Sequence, residues 1–182
     1  MPKEAGSGVE DGDRSAVRGD FYYWRLGATG LSFAVFGLGQ LALGILVFPL
    51  IRMLPGGRNR YQTRTRTLLR HAFRLFLWFM RCVGVLSYEF RGAERLGRPG
   101  QLIVVNHPSL IDIVFLLGFV PEANCVVKRE LWHNVFTMFA VDGAGYVSNL
   151  PTEAMIEGAD AVLRAGQCVL MFPEGTRTKP GQ

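Results

Sequence analysis

The chain has 182 residues, 49% of them hydrophobic and 19% charged, which suits one domain with an appendage and argues against two independent domains. Lysine and arginine number 20 against 15 acidic residues, a net charge of +5, so an anionic partner is expected: nucleic acid, membrane headgroups or a phosphorylated substrate. Cys82, Cys125 and Cys168 form neither an even disulfide set nor a zinc pattern, which fits a reducing compartment.

Residues 1–20, MPKEAGSGVEDGDRSAVRGD, mix glycine with both signs of charge and offer almost nothing to bury, so a disordered tail is expected. Residues 21–52 are expected to form a membrane-anchoring helix, first of all as a membrane span. From Leu26 to Ile51 no residue is charged, and at about 1.5 Å per residue that stretch is long enough for a hydrocarbon core of about 30 Å. A secretory signal peptide is the rival, but the run exceeds a usual signal core and no small-residue cleavage site follows it. Glycines at 27, 30, 37, 39 and 44 with a central Gln40 also permit a shallow, re-entrant or partner-packed helix.

Arginines recur from Arg52 to Arg98, opposed only by Glu89 and Glu94. This flank places the residues C-terminal to it on the cytoplasmic side by the positive-inside rule. Within residues 53–86, PGGRNR breaks the chain, and the pattern from Thr65 to Ser87 turns helical: Leu69, Phe73, Phe76, Met80 and Val83 make an apolar stripe, with Arg66, Arg70 and Arg74 at four-residue spacing elsewhere on the surface. Such a basic amphipathic helix suits the headgroup zone of a membrane. Packing on the domain's own core is the alternative.

Beyond residue 87 the elements alternate. Ser87–Phe90, Leu102–Asn106, Cys125–Lys128, Tyr146–Val147 and Cys168–Phe172 read as strands; Leu110–Phe119, Glu130–Phe139 and Thr152–Arg164 read as helices. The order predicts an α/β fold, a mostly parallel sheet with flanking helices, over residues 87–182. In such sheets ligands gather beyond the carboxyl ends of the strands, where NHPSLID (106–112) and FPEGTRT (172–178) fall.

His107 and Asp112 stand five positions apart across a strand-to-helix turn. A neutral imidazole takes a proton from a hydroxyl near neutral pH, and a carboxylate on its other nitrogen fixes the tautomer and stabilises the imidazolium. The competing reading is a cap: Ser109 and Asp112 have capping-box spacing before an apolar helix. In the second stretch Gly175 permits close backbone approach, and Arg177 offers a bidentate grip for a phosphate. Taken singly, this stretch also reads as a turn with a solvated arginine. Metal catalysis is a poor rival, since His71, His107 and His133 lack ligand spacing. Nucleic-acid binding would explain the arginines, but the apolar segment beside them favours phospholipid headgroups.

Together the two boxes, a His-x4-Asp at His107–Asp112 and a later Phe-Pro-Glu-Gly-Thr-Arg at Phe172–Arg177, resemble the glycerolipid acyltransferase family. VVKREL (126–131) is similar to that family's Lys-x-Glu-Leu element and brings Lys128 near the site. The resemblance implies O-acyl transfer from acyl-CoA or acyl carrier protein to the hydroxyl of a lysophospholipid or glycerol phosphate-type acceptor, in phospholipid biosynthesis at a bacterial inner membrane, without cofactor or metal. It implies that His107 is the general base, that Asp112 orients it, and that Glu174, Gly175, Thr176, Arg177 and Lys128 bind substrate. One departure bears on the acceptor. Where the family carries Gly-x-x-Phe-(Ile/Val)-x-Arg, GAGYVSNLP (143–151) offers Tyr146, Ser148 and Asn149 but no arginine, which opens the acceptor to another hydroxylated lipid. The sequence stops at Gln182, just beyond the second box, so an incomplete domain is expected, with a non-catalytic membrane-associated protein as the rival reading. Cys125 and Cys168 lie inside apparent strands and read as core residues.

Overall fold

The computed structural model describes residues 10–106 and 109–173, and side chains from residue 22 onward with the exception of Leu110. A long helix opens the chain: α1 (Glu10–Ala42), a π-helical turn (Leu43–Val47) and α2 (Phe48–Met53) run on without a break. Of the tail expected over residues 1–20, residues 10–20 are helical instead, since extending a helix already formed avoids the cost of a new nucleus, and residues 1–9 lie outside the described residues. Helix α3 (Gly57–Cys82) returns after a glycine turn. It starts eight residues before the Thr65 boundary expected from periodicity.

Four strands, β1 (Leu102–Val104), β2 (Ala123–Val127), β3 (Val147–Ser148) and β4 (Cys168–Met171), make one all-parallel sheet in the order β1-β4-β2-β3. Helices α4 (Leu110–Phe119), α5 (Met138–Ala144) and α6 (Thr152–Arg164) connect them. The core joins Leu69, Phe73 and Leu77 of α3 to Val114 and Leu117 of α4 and to Cys125, Val127 and Leu170 of the sheet. Val126, Val169 and Ala159 form a smaller cluster under α6.

Three expectations are corrected. Ser87–Phe90 is not a strand: Tyr88 and Phe90 set their rings on Phe115 and Phe119 of α4 at 4.7 Å, so their alternation serves an aromatic cluster rather than a ladder. The helix expected over Glu130–Phe139 is a 3₁₀ turn at Arg129–Trp132 followed by α5 from Met138. Asn134 interrupts it, its Oδ1 accepting from Phe136 N at 2.9 Å, the local competition that draws Asn out of helix interiors. Arg66 is not on the surface: it shares the buried face of α3 and donates through Nη1 to the carbonyl of Ala144 at 2.8 Å.

Ala28, Ser32, Gln40, Gly44 and Phe48 of the N-terminal helix are buried, and Phe36, on the same four-residue stripe, packs against Phe73 and Phe76 of α3. A four-residue spacing outruns the 3.6-residue turn, and the wider π turn at Leu43–Val47 offsets part of that drift. The opposite face, including Leu31, Leu38, Ile45, Leu46 and Leu50, is exposed. Among the described residues one helix, Tyr22–Met53, is long and apolar enough to cross a membrane.

The seat of this helix depends on Gly44, where an added Cβ would come within 2.5 Å of the Phe139 ring. Gly44→Ala is expected to lower stability by roughly 1–3 kcal/mol through overpacking. Gly39→Ala, with open space around its Cβ, is expected to be neutral or to gain up to about 1 kcal/mol from helix propensity. Thermal melts of the two variants in one detergent check this pair.

Candidate active site

The strand order brings the two sequence boxes together. β1 and β4 are neighbours with Val104 opposite Met171, and Val105 N extends the ladder by donating to Met171 O at 3.0 Å. Position 107 lies three residues past the end of β1 and position 174 three past the end of β4, so both boxes leave the same carboxyl edge from adjacent strands. β2 is the next neighbour of β4 and ends at Val127, placing exposed Lys128 at that edge as well. His107, Glu174, Gly175, Thr176 and Arg177 themselves lie outside the described residues.

Asp112 occupies the first turn of α4. Its Oδ2 accepts from Ser109 N at 2.8 Å, and Ser109 Oγ accepts from Ile111 N at 3.2 Å, so the capping box is formed. The cap uses one oxygen of a carboxylate that accepts several hydrogen bonds, so capping and orienting an imidazole are compatible duties.

The segment that departs from the family pattern is largely occupied within the protein. Asn149 N donates to Val127 O at 3.0 Å, and its Oδ1 accepts from Arg129 N at 3.1 Å, which ties β3 to the turn after β2. Ser148 Oγ donates to Leu150 O at 3.0 Å. Burial pushes the Tyr146 phenol far up, with Cys125 adding to the rise and Arg66 opposing it, so Tyr146 is a neutral hydroxyl. Burial likewise pushes the Cys125 thiol up to about 12, which keeps it protonated and makes it a core group rather than a nucleophile. Cys168 Sγ is 3.1 Å from the carbonyl of Arg98, to which it donates.

Two apolar cavities lie beside the N-terminal helix, one of them reaching the start of α4, and neither is legible from the boxes. One of about 140 Å³ lies between α1, α3 and the start of α4 and is lined by Ser109, Ile111 and Val114 as well as Phe36 and Phe76. Phe36 and Phe76 also line a groove of about 540 Å³ that continues between α1 and α3 past Val47 and Phe79. The smaller cavity thus sits beside the α4 cap and shares two walls with the groove.

A parallel sheet flanked by helices, with its motif-bearing loops at one carboxyl edge, defines an α/β protein of the kind that holds ligands beyond its strand ends. The acyltransferase family model matches residues 87–182, more than half of the chain, and the chain belongs to that family. It is 29% identical over 160 residues to the 1-acyl-sn-glycerol-3-phosphate acyltransferase of Pseudomonas aeruginosa, a match covering 85% of this chain and 60% of the relative. Proteins of the same name from Helicobacter pylori and Saccharomyces cerevisiae are 31% and 27% identical over 88 and 113 residues, 45% and 58% of this chain and 37% of each relative. The chain thus spans no more than about three fifths of the length of these relatives. No solved structure matches it.

Proposed function

We propose that the chain is a membrane-associated O-acyltransferase that moves an acyl group from acyl-CoA or acyl carrier protein to the hydroxyl of a lysophospholipid or glycerol phosphate-type acceptor. The observation that carries this reading is the parallel pairing of β1 with β4, which sends both boxes out of one edge, taken with family membership and the name shared by the relatives.

In this mechanism His107 removes the acceptor's hydroxyl proton as the oxygen attacks the thioester carbonyl. Asp112 holds the ring and stabilises the imidazolium. Collapse of the tetrahedral intermediate breaks the carbon–sulfur bond, and the departing thiolate recovers the proton from His107. No covalent acyl-enzyme is needed. Glu174, Gly175, Thr176 and Arg177 bind the acceptor, Arg177 through its phosphate, and Lys128 adds positive charge at the same edge. The apolar cavity beside Ser109 is placed to take up part of an acyl chain.

Membrane association is supported by the N-terminal helix, whose outer face between Leu26 and Leu50 exposes Leu26, Leu31, Phe33, Leu38, Ile45, Leu46 and Leu50. Because the opposite face is seated on α3 and Phe139, the helix offers lipid only its outer residues, an orientation along the bilayer surface. For a helix in that orientation the arginine flank suits the anionic cytoplasmic leaflet of a bacterial inner membrane.

Release of free thiol from acyl-CoA or acyl carrier protein, with lysophosphatidate as acceptor and detergent-purified protein, tests the reading. Acceptor-dependent turnover supports it. Well-folded protein that stays silent with both donors and with other lipid hydroxyls would leave the non-catalytic alternative in its place.

A further inference from the structure

We propose that a cavity between α2 and the start of α3 binds a bilayer phospholipid with an anionic phosphodiester and a hydroxylated headgroup, at a place separate from the acyl-transfer edge. The proposal rests on membrane association of the chain. The cavity, about 380 Å³, is lined by Arg52, Gly57, Arg58, Tyr61, Gln62 and Asp142. Arg52 lies over the Tyr61 ring, its guanidinium carbon 5.9 Å from the centroid, a contact that orients the guanidinium and leaves its edge N–H groups for a ligand. Among the described residues, neither Arg52 nor Arg58 has a carboxylate within ion-pair reach.

The charge of the walls selects the ligand. Two arginines against Asp142 leave one net positive charge, which matches a singly charged phosphodiester better than a dianionic phosphomonoester. The Asp142 carboxylate repels phosphate oxygens but accepts hydrogen bonds from a headgroup hydroxyl. Phosphatidylglycerol has both features.

The surroundings point to a lipid rather than a free anion. A second cavity of about 380 Å³ shares Arg52, Tyr61 and Asp142 with the first and continues over Phe48, Pro49 and Phe139. A cavity walled by two arginines, next to a more apolar one with three walls in common, fits a headgroup beside its chain. Leu50, Met53 and Leu54, at the same end of the helix pair, are 64%, 83% and 52% exposed, apolar groups set to enter a bilayer while the arginines stay among headgroups. Asp112, Lys128 and the carboxyl strand ends line neither cavity.

The test is flotation of the full chain with vesicles of phosphatidylcholine alone or mixed with phosphatidylglycerol, at fixed ionic strength. The parent is expected to partition more strongly onto the mixed vesicles. Arg52→Gln with Arg58→Gln is expected to weaken that binding about 30-fold, the effect of two basic residues at an anionic surface. Arg95→Gln with Arg98→Gln removes the same charge from the exposed loop before β1 and is expected to keep most of the preference. An equal loss in this control would reduce the effect to general charge and overturn the site. Equal binding of the parent to both vesicle types would also overturn it, while leaving membrane association intact. Displacement by soluble glycerol phosphate would assign the cavity to free phosphates instead. Failure to bind either vesicle would remove the membrane reading as well, and because flotation reads no turnover, the acyl-transfer assay stands apart from all four results.

Discussion

His107→Ala is expected to lower the rate of acyl transfer by roughly 10²–10⁴-fold, the contribution of a positioned general base, with thiol release per enzyme as the readout. The more informative variant is at Asp112, because that carboxylate has two candidate duties. Its Oδ2 accepts from Ser109 N at 2.8 Å, a bond that an asparagine Oδ1 can replace. Asp112→Asn therefore keeps the cap and removes only the charge, at a stability cost of about 0.3–1 kcal/mol from the helix dipole. An imidazolium formed in the transition state loses its counter-charge, so activity is expected to fall nearly as far as in His107→Ala. Ser109→Ala does the reverse: it deletes the hydroxyl that accepts from Ile111 N, costs about 1 kcal/mol of stability and leaves turnover within a few-fold. Should Asp112→Asn retain parent-like activity, Asp112 is a helix cap alone and takes no part in orienting His107.

The split between what could be read from the chain and what could not reflects the range of each interaction. α4 and α6 are legible, at Leu110–Phe119 and Thr152–Arg164, because an apolar helix behind a capping box and an amphipathic helix are local patterns. Strand order is not local. Alternation of strands and helices implies parallel pairing, but nothing in residues 168–171 says that β4 inserts between β1 and β2, the step that makes the two boxes neighbours. The apolar composition of Leu26–Ile51 tells how far that helix reaches, not that Gly44 seats it on Phe139. Of the site itself, both boxes and Lys128 are visible as motifs, whereas the cavities walled by Phe36 and Phe76 arise only when α1 packs across α3.

Arg66 is the sharpest case of a residue misread by charge, and its removal is expected to be among the costlier changes in the chain. Read as one of a row of arginines toward phosphate, it would weaken membrane binding when replaced and leave stability alone. In the structure its side chain is buried, Nη1 donates to the carbonyl of Ala144 at 2.8 Å, and Nη2 reaches Thr63 Oγ1 at 3.3 Å and Glu122 Oε2 at 3.5 Å. Ala144 ends α5, so the cation meets a carbonyl that has no partner within its own helix, at the negative end of the dipole. Arg66→Met fills much of the same volume but strips that carbonyl, and roughly 2–4 kcal/mol is expected, the scale of a lost charged hydrogen bond and the desolvation left behind. For a chain of this size that corresponds to a fall of roughly 4–16 °C in melting temperature. The Glu122 pair contributes little to this. Glu122 is 43% exposed and the pair is long at 3.5 Å, so Glu122→Ala is expected to cost less than about 1 kcal/mol. The pair of melts decides between cap and ion pair: a Glu122→Ala loss as large as that of Arg66→Met would move the energy to the salt bridge. Either way, the turnover of folded Arg66→Met protein, measured well below its melting temperature, is expected to stay close to the parent's, since Arg66 acts on the scaffold behind β3 and not on the carboxyl edge where the boxes meet.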